Sequence, residues 1–161
     1  MKHLYLFRHG KAEISLKATN DFSRDLIKKG IAKTKIISKK LKYKGINFDL
    51  FISSPANRAI QTAEITANFF GYNKNYILKR KILYNFFSTD PLFSVIKNVN
   101  NNVNSLIIFG HNPTFELAVN KLCGTAGIQL KKSSATCIEL NINDWRMINQ
   151  GSGRLIFTDN P

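Results

Sequence analysis

The chain has 161 residues, 43% of them hydrophobic, which suffices for one buried core and fits the size of one domain. It carries 24 Lys and Arg against 10 Asp and Glu, a formal net charge of +14 that favours phosphate-bearing or acidic partners. No apolar run is long enough to span a bilayer, and Met1-Lys2-His3 leads into a run too short for a secretory leader. A cytoplasmic protein with no membrane partner is therefore expected.

Short apolar runs alternate with longer segments of helical period, and no repeat, low-complexity tract or proline-rich linker separates them. This pattern predicts one α/β domain over residues 1–161, with a mostly parallel central sheet between helices. Residues 4–7 form the first nearly continuous apolar run, as in a strand covered on both faces. Ile27, Ile31, Thr34, Ile37 and Leu41 follow at helical spacing, with Lys28, Lys35, Lys39 and Lys42 away from that stripe and Ile36 off it. The second strand is predicted at residues 50–52. Next, Ser54-Pro55 reads as the cap and first position of a helix burying Ala59, Ala63, Thr66, Ala67 and Phe70. The pairs Phe69-Phe70 and Phe86-Phe87 read as core rather than as a stacking platform. Asp90, ahead of Pro91, is placed to begin a helix rather than to act as an acid. A third strand is predicted at residues 106–109, and Asn112 and Pro113 then cap and start a helix with Phe115, Ala118, Val119 and Leu122 on its apolar face. Later strands are predicted at residues 136–142 and 154–157. Cys123 and Cys137 lack the spacing of a disulfide framework or a zinc site, so no metal is expected.

The three buried strands end in polar residues: Arg8-His9-Gly10, Ser53-Ser54-Pro55 with Arg58, and Gly110-His111-Asn112-Pro113. In open α/β sheets, ligands bind outside the carboxyl ends of the strands. Arg58, in the first turn of its helix, leans back toward that edge, and Arg8 offers a second planar fork for oxyanions. The helix that starts near Pro113 adds free N–H groups. Such an edge is built for a phosphate or similar anion. Lys11 and Arg24 are further candidates for substrate contact, against the reading of solvated loop cations.

These motifs resemble the histidine phosphatase superfamily, the phosphoglycerate-mutase-like enzymes, through Leu6-Phe7-Arg8-His9-Gly10, the run from Ser53 to Thr62, and Gly110-His111-Asn112-Pro113. The branch most similar is that of SixA-type phosphohistidine phosphatases, and Asp21-Phe22-Ser23-Arg24 and Gly151-Ser152-Gly153-Arg154-Leu155 extend the likeness. Arg24-Asp25-Leu26 stands where family members usually show Arg-Pro-Leu. The resemblance implies a three-layer sandwich and in-line attack by His9 on phosphorus. A phosphohistidine intermediate would form and be hydrolysed by water, with Arg8, Arg58 and His111 stabilising the equatorial oxygens. It implies no cofactor, because cationic donors replace the metal used by other phosphoryl-transfer enzymes. The implied partner is a phosphorylated protein bearing phosphohistidine.

The sequence is compatible with other readings. Within enzymes, the chain is a phosphatase or mutase for small phosphorylated metabolites, although long insertions able to cover a mutase pocket are lacking. Outside enzymes, the basic charge permits a nucleic-acid-binding module or an inactive phosphate-recognition scaffold. The basic residues are spread along the chain, so specific nucleic-acid binding is not expected, and the intact His9 and His111 argue against the scaffold.

Overall fold

The computed structural model describes residues 1–14, 20–84 and 87–161. Its strands are β1 (Lys2–Arg8), β2 (Leu50–Ser53), β3 (Leu78–Lys79), β4 (Ser105–Gly110), β5 (Ala135–Leu140) and β6 (Gly153–Asp159). The helices are α1 (Lys28–Tyr43), α2 (Asn57–Phe70), α3 (Asp90–Lys97) and α4 (Thr114–Cys123). One sheet runs in the order β3-β2-β4-β1-β5-β6. β1 to β4 pair in parallel, whereas β5 runs antiparallel to both β1 and β6.

Alternation along the strands makes the three layers. Leu4 and Leu6 of β1, Ile52 of β2, Leu106 and Ile108 of β4 and Ile138 of β5 face one core, shared with α3, α4 and Trp145. Tyr5, Phe7, Phe51, Ile107, Phe109 and Cys137 face the other, shared with Ile37 and Leu41 of α1 and Ala63 and Ala67 of α2. Because successive side chains point to opposite faces, a strand buried on both must read as a continuous apolar run. Burying a Leu or Phe contributes about 1.5–3 kcal/mol, so these two clusters supply most of the drive to fold.

The helices bury the stripes their sequences carry. α1 buries Thr34, Ile37 and Leu41, while Ile36 stays 50% exposed. α2 buries Ala59, Thr62, Ala63, Thr66 and Ala67, small residues that admit a close neighbour, and the Thr66 and Ser38 hydroxyls bond at 2.9 Å across α1 and α2. Gly30 of α1 makes the closest approach: a Cβ there would lie 2.1 Å from the Lys11 carbonyl oxygen. Glycine costs helix stability, and here it lets α1 press on the segment just after His9.

Two helix starts differ from the sequence expectation. α2 begins at Asn57 with Ala56 at its cap: the Ser54 hydroxyl bonds His111 Nε2 at 2.8 Å and accepts the N–H of Ala56 at 3.4 Å, before the helix starts. α4 begins at Thr114 after Pro113, and the Asn112 amide donates to the Leu130 carbonyl at 3.1 Å rather than capping. Asp90 does open α3. Phe70 packs against the second core, but Phe87 is 85% exposed, so it is not core as expected; Phe86 lies outside the described residues. Among the described residues, no helix is long and apolar enough to cross a membrane.

Candidate active site

Register brings the three polar strand ends together. Arg8 pairs with Gly110 across β1 and β4, and Ser53 pairs with Phe109 across β2 and β4. The ladder runs one rung further: the His9 N–H donates to the Gly110 carbonyl at 3.0 Å, and the Ser54 N–H to the Phe109 carbonyl at 2.9 Å. His9 and Ser54 are thus fixed by main-chain bonds just beyond the sheet. Arg58, at the second position of α2, is only 3% exposed and reaches the same edge. These ends enclose an open hollow of about 340 Å³ lined by Arg8, His9, Asp21, Arg24, Arg58, His111, Asn112 and Lys132.

The two histidines lie with ring centroids 5.0 Å apart. His9 Nδ1 is 2.7 Å from the Gly10 carbonyl oxygen. A carbonyl only accepts, so Nδ1 carries the proton and Nε2 keeps its lone pair. Burial lowers the His9 pKa from 6.5 to about 3; Arg58, Arg8 and Lys132 push the same way, and the Gly10 bond opposes them. Burial, followed by the fields of His9, Arg58 and Arg8, lowers that of His111 to about 2, against an opposing pull from Asp21. Both rings are therefore neutral at pH 7. The Gly10 N–H donates to Thr62 Oγ1 at 3.0 Å, and that hydroxyl donates to the Arg58 carbonyl at 2.7 Å, so α2 holds the turn after His9.

Each arginine is aimed by its own partner. Arg8 donates from Nη1 to the Leu130 carbonyl at 2.5 Å, and burial lowers its pKa while Glu116 opposes the shift. Arg58 donates from Nη1 to the Asp21 carbonyl at 2.7 Å and from Nη2 to the Asp21 carboxylate at 3.0 Å. The other carboxylate oxygen of Asp21 lies 3.1 Å from Arg24 Nε, and the Tyr84 hydroxyl donates to Asp21 at 2.5 Å. Partial burial raises the Asp21 pKa, but the Tyr84 bond and the Arg58 and Arg24 charges outweigh it and hold the carboxyl below its usual range.

Of the residues singled out in the sequence, Arg8, His9, Arg58, His111 and Arg24 line the hollow, whereas Lys11 is exposed and does not. Asp90 is not in the lining, and its side chain is 84% exposed with Lys121 Nζ 3.8 Å away. Sequence reasoning missed the roles of Asp21 and Lys132 in this lining. Asp21 sits on a loop that carries no pattern, although it stands in a stretch already noted for resemblance. Lys132 precedes β5, the reversed strand, whose amino end lies at the edge where the parallel strands finish. Among the described residues, no group of three His, Cys, Asp or Glu is close enough to hold a metal ion.

The family model of the histidine phosphatase superfamily, branch 1, matches residues 4–80, a span that includes Arg8, His9 and Arg58. An uncharacterized protein of Picosynechococcus is 42% identical over 64 residues, a match covering 40% of this chain and only 39% of that protein's length. A candidate phosphohistidine phosphatase SixA of Agrobacterium tumefaciens is similar at 26% identity and a TM-score of 0.83, over 99% of this chain and 98% of that one. The protein histidine phosphatase SixA in complex with tungstate is 21% identical with a TM-score of 0.77, over 97% and 95% of the two chains. A phosphoserine phosphatase of Entamoeba histolytica, in complex with 3-phosphoglyceric acid, is 17% identical with a TM-score of 0.69, over 100% and 98%. The last two are likenesses of fold.

Proposed function

We propose that the chain belongs to the histidine phosphatase superfamily, whose family model matches residues 4–80, and that it is a metal-independent phosphatase whose nucleophile is His9 and whose preferred substrate is a protein-borne phosphohistidine. The observation that carries this reading is the His9 ring, neutral and held through Nδ1 by the Gly10 carbonyl in a hollow lined by Arg8, Arg58 and His111. Such a ring presents its Nε2 lone pair where two guanidinium groups bind a phosphoryl dianion. In the first step Nε2 attacks phosphorus and the leaving group departs; in the second, water attacks phosphorus and the bond to Nε2 breaks. Arg8, Arg58 and the neutral His111 donate hydrogen bonds to the equatorial oxygens as charge builds on them. Arg24 adds positive potential at the rim.

Substrate preference follows from the carboxylate in the lining. Asp21 is ionised and committed to Arg58, Arg24 and Tyr84, so it has no proton for a departing alkoxide. A nitrophenolate leaves unaided, and a phosphohistidine imidazole or a phenol is a better leaving group than an alcohol, so these substrates are turned over faster than alkyl esters. Small phosphorylated metabolites, most of them alkyl esters, are then secondary substrates.

Brief incubation with labelled phosphohistidine peptide is expected to leave an acid-labile, alkali-stable phosphoryl group on the wild type and none on His9→Ala. The same turnover persists after exhaustive chelation. Label retained by His9→Ala, or activity lost with chelator and restored by a divalent ion, overturns the proposal.

A further inference from the structure

The turn that closes the hollow on its β5 side is tied to the nucleophile. Lys131 to Ser134 form a tight turn closed by the Ser134 N–H and the Lys131 carbonyl at 2.9 Å. Ser133, its third residue, has a φ of 66°, and it is the one positive-φ residue other than glycine among the described residues. Residues with a Cβ rarely adopt that region, and those that do gather at functional sites. The strain is held in place from several sides. The Ser133 N–H donates to the His9 carbonyl at 3.1 Å, the Arg8 N–H donates to the Ser134 carbonyl at 2.9 Å, and the Ser133 hydroxyl lies 3.1 Å from that of Thr34. The second residue of this turn is Lys132, which lines the hollow.

Among the described residues, the lining is short of proton donors. A guanidinium is a hydrogen-bond donor and not a proton donor, which sets aside Arg8, Arg24 and Arg58. Asp21 is an ionised carboxylate, and His9 holds its single proton against Gly10. The neutral ring of His111 is no acid, and the Asn112 amide is none either. Lys132 is left, and among the described residues no carboxylate pairs with it.

We propose that Lys132 is the proton donor of this site, giving a proton to the leaving group as His9 takes the phosphoryl group and recovering one from the attacking water. In the first step the His9 Nε2–P bond forms and the P–N bond of the substrate breaks. The electron pair of that bond stays on the departing imidazole, the Lys132 ammonium protonates the ring, and a neutral imidazole leaves beside a neutral amine. In the second step water attacks phosphorus and the Nε2–P bond breaks, returning its pair to Nε2. The water's proton passes to the Lys132 amine, which is an ammonium again, and hydrogen phosphate is released. Burial together with the charges of Arg8, Arg24, Lys11 and Arg58 lowers the Lys132 pKa, which eases this exchange.

This inference rests on the proposed phosphatase activity, and replacing Lys132 by Arg tests it because Arg keeps the charge and gives up no proton. The probes are 4-nitrophenyl phosphate, whose anion leaves unaided, and phenyl phosphate, whose oxide needs a proton. Lys132→Arg is expected to lower kcat/KM for phenyl phosphate on the order of 100-fold more than for the nitrophenyl ester. Lys132→Ala is expected to recover phenyl phosphate turnover when small primary amines are added. Equal losses on both substrates, no loss on either, or no rescue by amines overturns the proton-donor role while leaving His9 phosphorylation intact. A wild type that never labels His9 overturns the phosphatase reading, and this inference with it.

Discussion

The side chain that most alters the reading of this site is Asp21, because it is an anion seated among groups that suit phosphate. Its carboxylate already pairs with Arg58 and Arg24, so an incoming phosphoryl dianion meets a like charge nearby. With Asp21 46% exposed, that repulsion is worth about 1 kcal/mol at a few ångströms in a water-like medium. Asp21→Asn is therefore expected to tighten inorganic phosphate binding about fivefold, as read from its inhibition constant. The same variant lowers kcat, because Arg58 and Tyr84 lose the partner that positions them. The histidines set a pH limit on the fold. Their folded pKa values, about 3 for His9 and about 2 for His111, lie below the ordinary 6.5. Between 6.5 and about 3 the unfolded chain binds protons that the folded chain refuses, so stability falls as pH drops through that window. Each pH unit costs on the order of 1.4 kcal/mol for each histidine still neutral in the fold. Denaturant titrations at several pH values check this, and His9→Gln is expected to flatten the slope by roughly half.

Among the elements, α1 controls the site without touching it. Gly30→Ala would set a methyl group 2.1 Å from the Lys11 carbonyl oxygen and 2.7 Å from its nitrogen. Backbone has to move, and overpacking of this kind costs about 1–3 kcal/mol. Because Lys11 is two residues from His9, kcat/KM is expected to fall along with the denaturation midpoint. Ile36→Ala, on the exposed side of the same helix, is expected to stay within about 0.5 kcal/mol of wild type. The contrast shows what the sequence could reveal. The stripe from Thr34 to Leu41 and the runs of β1, β2 and β4 were legible because periodicity reports burial directly. Gly30 was not, since its reason lies in the main chain of another segment. The signature Ser54-Pro55 reads as a helix start on local chemistry, yet Ser54 is claimed by His111, 57 residues away. Asn112 is likewise claimed by Leu130. Arg8, His9, Arg58 and His111 were legible because they end or follow parallel strands. Lys132 was hidden because it enters from a strand whose direction no local pattern announces.

Across the whole molecule, charge is the dominant global property. The outer side of α1 alone exposes Lys28, Lys29, Lys35, Lys39, Lys40 and Lys42. Such a field gathers anionic substrates, and exposed charges are screened beyond about 10 Å at 0.1 M salt. Raising ionic strength is expected to lower kcat/KM for phosphorylated peptides several-fold while leaving kcat nearly constant, which stopped-flow or steady-state assays can separate. Duplex and single-stranded oligonucleotides are expected to bind weakly with a steep salt dependence; tight, sequence-selective binding at physiological salt would favour the nucleic-acid alternative. The junction of β1 with the turn before β5 has a further consequence, and it concerns time. The Arg8 N–H finds its acceptor in Ser134 and the His9 carbonyl its donor in Ser133, so the backbone at His9 is completed by residues made long after it. Contacts this far apart in sequence close late and slowly. A chain emerging from the ribosome without β5 carries the Arg8-His9-Gly10 motif but lacks the bonds that hold it. The chemistry proposed for His9 is thereby withheld through synthesis and arrives only when the turn before β5 is in place.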